Sequence, residues 1–343
     1  MLDHVVKQQV ELPPTTEEST GVFCLPHHAV KKERRGKIKW RIVFDASYSE
    51  GDSPSLNDVL EMGPNLLPEV LATLLRFRER PVAIICDIQQ AFLQLCLDRK
   101  DRDLTRFLWY RISQDDKGNH YTTNEAVTYR FTRLPFGLTY SPFLLSATVR
   151  KLATQCREGI PRQPPVEDGN GSISIYYELT AFMKTIKLPI AKWATSCEEL
   201  KEIWKAEVQE IQKTTQALRV DWNTDSDTLS VDSRDILDKT TKGAATERQL
   251  LQTTARFYDP LGLFSPVSVV EKILFQETWC RGMQWEEILP HDIGVRWHAW
   301  ITSLPLLSGI HITRWMGTSN GHDIEIHVFC DASERAYRAV LYI

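Results

Sequence analysis

The 343-residue chain lacks any apolar run of the roughly 18 to 20 residues that a membrane helix needs, and its first residues, Met1 to Leu12, lack the apolar core of a secretory signal. An intracellular protein is the expectation. No C-x-x-C pair occurs among the seven scattered cysteines, which argues against a zinc module or disulfide framework and for reduced thiols. No Asp-Thr-Gly or Asp-Ser-Gly triplet is present, so an aspartic protease centre is excluded. A strong net charge is missing too: at −4 the chain gives no global reason to expect a polyanionic partner. What it does have is 42% hydrophobic and 25% charged residues, the make-up of a globular protein long enough for two or three cores.

Residues 1–21 are polar, with Pro13-Pro14, and read as a tail, with structure starting near Val22. Val22 to Val30 and Ile38 to Phe44 read as paired strands; His27 and His28, adjacent on a strand, point to opposite faces and make poor joint metal ligands. Helical spacing covers Pro68 to Phe77, and Arg106–Ser113 with Val127–Thr132 read as a hairpin whose tip holds Asp115-Asp116 as turn residues. Ser141 with Pro142 begins a helix to about Ala153, and Ser196 with Glu199 forms a capping box for a helix from Cys197. Ala217–Trp222 and Thr228–Val231 read as two strands. Helices then follow from Thr246 to Phe257, from Ser265 to Gly282 and from His291 to Leu304, with Trp297 and Trp300 on one face, before strands at Glu325–Asp331 and Ala336–Ile343.

Three stretches carry chemistry. Ile84-Ile85-Cys86-Asp87-Ile88 is an apolar run ending in one carboxylate, a buried strand whose Asp needs a partner or a metal ion. Lys31, Lys32, Arg34, Arg35, Lys37, Lys39 and Arg41 crowd eleven residues against Glu33 alone, either a solvated hairpin tip or a patch that draws phosphates by counterion release. Leu134-Pro135-Phe136-Gly137 leads into the Ser141-Pro142 helix, a loop in which glycine allows close approach of a ligand.

Taken together with Leu25-Pro26-His27-His28-Ala29-Val30, Arg41 to Ser47, Ser55-Leu56-Asn57-Asp58, Arg106-Phe107-Leu108-Trp109, Lys192-Trp193 and Phe257 to Leu263, these stretches resemble the reverse transcriptase region of Pao (BEL/Pao) LTR retrotransposon polyproteins. The resemblance implies an α+β right-hand polymerase fold: fingers and palm over 22–232, a helical thumb or connection region over 233–318, and a truncated RNase H-like β-hairpin over 319–343. It implies RNA-directed DNA synthesis from dNTPs on an RNA/DNA template-primer, with two Mg²⁺ ions and no membrane. By position, Asp87 matches the first metal-binding palm carboxylate, Phe92 the aromatic gate beneath the nucleotide sugar, Arg41 and Lys39 the triphosphate-binding cations, and Gln90, Phe136 and Gly137 further nucleotide contacts. Lys31, Lys32, Arg34, Arg35 and Lys37 would face nucleic acid, and Asp331 matches the first RNase H carboxylate.

The Tyr-x-Asp-Asp turn that the family places next is missing. Ile175-Tyr176-Tyr177 resembles the start of its strand, but Glu178-Leu179 follows, and the spacing to Lys192-Trp193 is shorter than the family's. Asp168 or Glu178 could substitute, but neither recreates an adjacent pair, and two divalent ions need several carboxylates to offset their repulsion. The expectation is therefore a degenerate polymerase fragment with weak or no catalysis. The alternatives are a non-catalytic nucleic-acid-binding remnant or a non-functional product of a damaged or mis-assembled gene.

Overall fold

The structure, a computed structural model, describes residues 1–14, 21–34, 37–157, 169–207, 213–231, 236–237, 244–318 and 324–343. In chain order these begin with α1 (Leu2–Val6), β1 (Val10–Glu11), β2 (His27–Arg34), β3 (Lys37–Phe44), α2 (Leu56–Val59), α3 (Val70–Glu79) and β4 (Ile84–Ile88). Then come β5 (Arg106–Gln114), β6 (His120–Phe131), α4 (Ser141–Arg157), α5 (Gly169–Thr185), β7 (Ile190–Thr195) and α6 (Glu198–Ala206). The last part holds β8 (Thr214–Ala217), β9 (Val220–Asn223), β10 (Thr228–Ser230), α7 (Glu247–Arg256), α8 (Ser265–Cys280), α9 (His291–Ser303), β11 (Ile312–Thr313), β12 (His327–Ala332) and β13 (Tyr337–Tyr342). No helix among the described residues is long and apolar enough to cross a membrane. The chain divides into two compact units that interleave along the sequence: residues 1–67, 88–162 and 180–190, and residues 68–87, 163–179 and 191–343.

The first unit is built on the antiparallel sheet β1-β6-β5 and the hairpin β2-β3. Alternation in β5 and β6 turns Phe107, Tyr129 and Phe131 inward, and Phe44 closes on two of them, its ring 4.9 Å from Phe107 and 5.0 Å from Phe131. His27 joins this aromatic cluster, 5.2 Å from Trp109, and burial lowers its pKa; its place is packing. The polar tail expected at residues 1–21 is instead structured at its start. Val10 pairs with Phe131 and Glu11 with Arg130, and Val10 is buried. The Glu11 carboxylate accepts from Arg130 Nε at 2.8 Å and from Arg102, while Asp103 accepts from Arg130 at 3.1 Å and from Arg106, which holds the Asp103 carboxyl below its ordinary range. A buried guanidinium requires such anions, and one of them comes from a two-residue strand too short to show a pattern.

The second unit holds the pair β4-β7, the sheet β11-β10-β9-β8 and the helices α3 and α6 to α9. Leu74, Ala83, Ala194, Trp222 and Leu229 form one core, and Leu250, Leu274, Ile293, Trp297, Trp300 and Leu304 another, so the tryptophan face of α9 is core as its spacing indicates. The expected strand Ala217–Trp222 is broken: Leu218 and Arg219 take left-handed backbone (φ 48 and 72) and turn β8 back on β9. Two-residue hairpin turns of this hand favour Asn-Gly, and Leu-Arg conceals one. The expected capping box at Ser196 is not formed, because Ser196 Oγ accepts from the Ala83 N–H at 3.1 Å; Cys197 is the N-cap of α6, without a side-chain cap. Arg314, fully buried, is the main staple here. Its guanidinium is bidentate on Asp227 (2.7 and 2.8 Å) and donates to the carbonyls of Phe77, Arg80 and Pro81 at the end of α3.

Candidate functional site

Asp87 belongs to the second unit and the candidate nucleotide-binding residues to the first, and each group has its own surroundings. The Asp87 strand differs from expectation. Its carboxylate is exposed, 58% by side chain, and Oδ2 accepts from Lys192 Nζ at 2.5 Å. The apolar run does not make a buried strand because β4 has β7 as its one strand partner among the described residues. Lys192 sits within β7 with left-handed backbone, φ 55, which costs a residue with a side chain about 1 kcal/mol. With both partners this exposed, the ion pair contributes no more than about 1 kcal/mol of stability. Its consequence is electrical: the carboxylate is already neutralised.

Ile175-Tyr176-Tyr177, read as the start of a strand, lies inside α5, because the buried positions Ser172, Tyr176 and Met183 recur at helical spacing. Tyr176 donates to Glu207 at 2.6 Å, and Glu178 accepts from Ser174 one turn earlier at 3.0 Å. Asp168 lies outside the described residues. Among the described residues no three His, Cys, Asp or Glu side chains gather where a metal ion could be held.

In the first unit, the structure brings together Phe92 and Phe136, which meet edge to face with centroids 5.2 Å apart; Phe136 is 76% exposed. Gly137 has φ +104, and a Cβ there would lie 2.9 Å from the Phe44 carbonyl oxygen. The close approach that requires glycine is thus to the protein's own backbone. Ser141 begins α4, but its hydroxyl donates to the Pro135 carbonyl at 3.1 Å and so fastens the same loop. Asn57, to which sequence reasoning assigned no role, clamps it from the other side. Its amide donates to Gly137 O at 3.0 Å and Ser47 Oγ at 2.8 Å, and its Oδ1 accepts from the Thr139 N–H. The Ser55-x-x-Asp58 capping box that starts α2 and positions Asn57 was a readable signal.

The basic hairpin forms as expected, with Val30 opposite Arg41, Lys32 opposite Lys39 and Arg34 opposite Lys37. Lys32, Arg34, Lys37 and Lys39 are placed by backbone register alone, their side chains lying outside what is described. Lys31 and Arg41 are exposed, and Arg35 lies outside the described residues. Gln90 has left-handed backbone, φ 51, and its Oε1 accepts from Gln9 at 3.2 Å and Lys7 at 3.5 Å. Asp331 lies on the β12-β13 hairpin opposite Arg338, exposed and without further carboxylates gathered at it among the described residues.

Residues 246–343 match the family described as Pao retrotransposon-like RNaseH-like domain. No curated protein matches the chain. Among solved structures the fold is similar to that of the foamy viral protease-reverse transcriptase in complex with RNA/DNA hybrid, with a TM-score of 0.56 and 13% identity. The likeness covers 100% of this chain and 42% of that one, so the chain spans well under half the length of that protein. The mixed α/β architecture is therefore that of a retroviral reverse transcriptase at the level of fold, and the C-terminal part carries a Pao retrotransposon signature.

Proposed function

We propose that the chain is a retrotransposon-derived reverse transcriptase region that retains the scaffold of an RNA-directed DNA polymerase, binds an RNA/DNA template-primer, and has lost most or all of its DNA synthesis. The observation that carries this reading is Asp87 ion-paired with Lys192, with no group of three His, Cys, Asp or Glu side chains able to hold a metal ion among the described residues. Transfer of a phosphoryl group depends on metal ions and cations fixed around the reacting oxygens. A single neutralised carboxylate does not fit two Mg²⁺ ions, and no step is assigned to them. Binding needs less. The cations of the β2-β3 hairpin, with Arg41 opposite Val30 at its middle, suit a phosphate backbone or a triphosphate, and the Phe92-Phe136 pair offers an exposed ring for stacking. The similarity in fold to a reverse transcriptase solved with an RNA/DNA hybrid supports the same partner.

Primer extension on an RNA template with dNTPs and Mg²⁺ or Mn²⁺, beside Asp87→Ala, tests it. No extension is expected from either protein, while template-primer binding weakens steeply with salt. Changing Lys31, Lys32, Arg34 and Lys37 to Gln lowers the salt slope by about 3 to 4. Extension that Asp87→Ala abolishes overturns the reading.

A further inference from the structure

We propose that a polar cavity in the first unit, formed by the N-terminal segment and the loop that follows β4, is a binding site for a phosphate-class oxyanion. The cavity has a volume of about 310 Å³ and is lined by Lys7, Gln9, Gln89, Gln90, Gln94 and Arg133, with Leu93 its one apolar wall. Two cations and four carboxamides face it, and no carboxylate does. Such a donor-rich cavity suits a tetrahedral anion whose several oxygens all accept.

Its parts are fixed by bonds that leave donors over. Gln9 is 4% exposed and donates through Nε2 to Gln90 Oε1 at 3.2 Å. Lys7 Nζ makes only a 3.5 Å contact to the same oxygen, at the outer limit of a hydrogen bond. Arg133 makes its bonds to Gln94 O (3.2 Å) and Cys96 Sγ (2.9 Å) through one nitrogen, NH1. Gln94 donates to the Gln89 carbonyl at 3.0 Å and so closes the loop on itself. Gln90, which lines the cavity (φ 51), and Gln8, between the lining residues Lys7 and Gln9 (φ 53), adopt left-handed backbone that residues with side chains avoid. Strain of this kind accumulates where a ligand clamp is kept in shape. The site shares Gln90 with the nucleotide contacts carried over by resemblance and otherwise rests on residues outside that reading.

The phosphate could come from a free phosphate compound or from a nucleic-acid backbone. The test is calorimetric titration of the whole chain with inorganic triphosphate, without divalent ions, so that its result is independent of any metal-dependent extension. Saturable binding is expected, weakened at least ten-fold by Lys7→Gln, by Arg133→Gln and, through like-charge repulsion, by Gln90→Glu. Lys7→Gln should leave the melting temperature unchanged, which guards against misreading a folding defect at Arg133. Competition by an oligodeoxynucleotide identifies a backbone phosphate as the occupant; triphosphate binding indifferent to the oligonucleotide identifies a free phosphate compound. Either supports the site. Absence of triphosphate binding, or binding that Lys7→Gln and Gln90→Glu leave intact, overturns it.

Discussion

Glu271 in α8 is fully buried, and neither of its carboxyl oxygens has a hydrogen-bond partner among the described residues. Burial pushes its pKa up to about 8, with Asp259 adding repulsion and Lys272 opposing. The fold therefore holds a proton on Glu271 at pH values where the unfolded chain, with an ordinary carboxyl near 4.5, has released it. The sign follows: stability attributable to this group is greatest below pH 4.5 and falls as pH rises, by about 1.4 kcal/mol per pH unit, levelling off above pH 8 after a loss of roughly 5 kcal/mol. Glu271→Gln keeps the shape and removes the titration, so the difference in stability between variant and parent should widen from pH 5 to pH 8. Glu271→Met also removes the unsatisfied polar atoms and should be more stable than the parent at pH 7 by about 3 kcal/mol. Urea unfolding followed by tryptophan fluorescence at pH 5, 6, 7 and 8 measures this, since Trp297 and Trp300 belong to the adjoining core. Parallel pH profiles for parent and Glu271→Gln would refute the argument.

Arg314→Met should lower stability by about 3 to 5 kcal/mol, because it leaves the Asp227 carboxylate with Trp222 Nε1 but no counter-charge from Arg314, and three carbonyls of the α3 terminus without their donor. A shift in urea midpoint worth less than 1 kcal/mol would show that the staple is dispensable. Gly137→Ala should cost about 1 to 3 kcal/mol, since left-handed φ and the Phe44 carbonyl both oppose a methyl group. A melting temperature equal to that of the parent would mean that the loop relaxes freely.

Much of the scaffold was legible in the sequence because it rests on local pattern. The β5-β6 hairpin, the Thr246-capped helix α7, the tryptophan face of α9 and the β12-β13 pair all follow from period and caps. What escaped depended on distant partners. Glu11 looks like part of a polar tail until Arg130, more than a hundred residues later, needs a counter-charge. Ser196 looks like a helix cap until the Ala83 N–H claims its hydroxyl. Asn57 looks like an ordinary polar residue until three groups of the 137–139 loop and Ser47 converge on its amide. Tyr176 looked like a strand residue because three aromatic or β-branched side chains in a row favour strands, yet its burial partners lie one and two helical turns away.

On the proposed reading, the same distinction explains how a polymerase-like scaffold can persist without its chemistry. Each unit is held by its own core, the second also by the Arg314 staple, and none of these buried residues is a candidate catalytic group. Asp87 stands at the surface in an ion pair worth no more than about 1 kcal/mol. Altering Asp87 therefore changes folding stability little. The β2-β3 hairpin differs: its backbone register sets Lys32 opposite Lys39 and Arg34 opposite Lys37, so on the proposed reading a bound anion should stabilise it. Stabilisation of the chain by template-primer, lost at high salt and unaffected by Asp87→Ala, is the behaviour this argument requires.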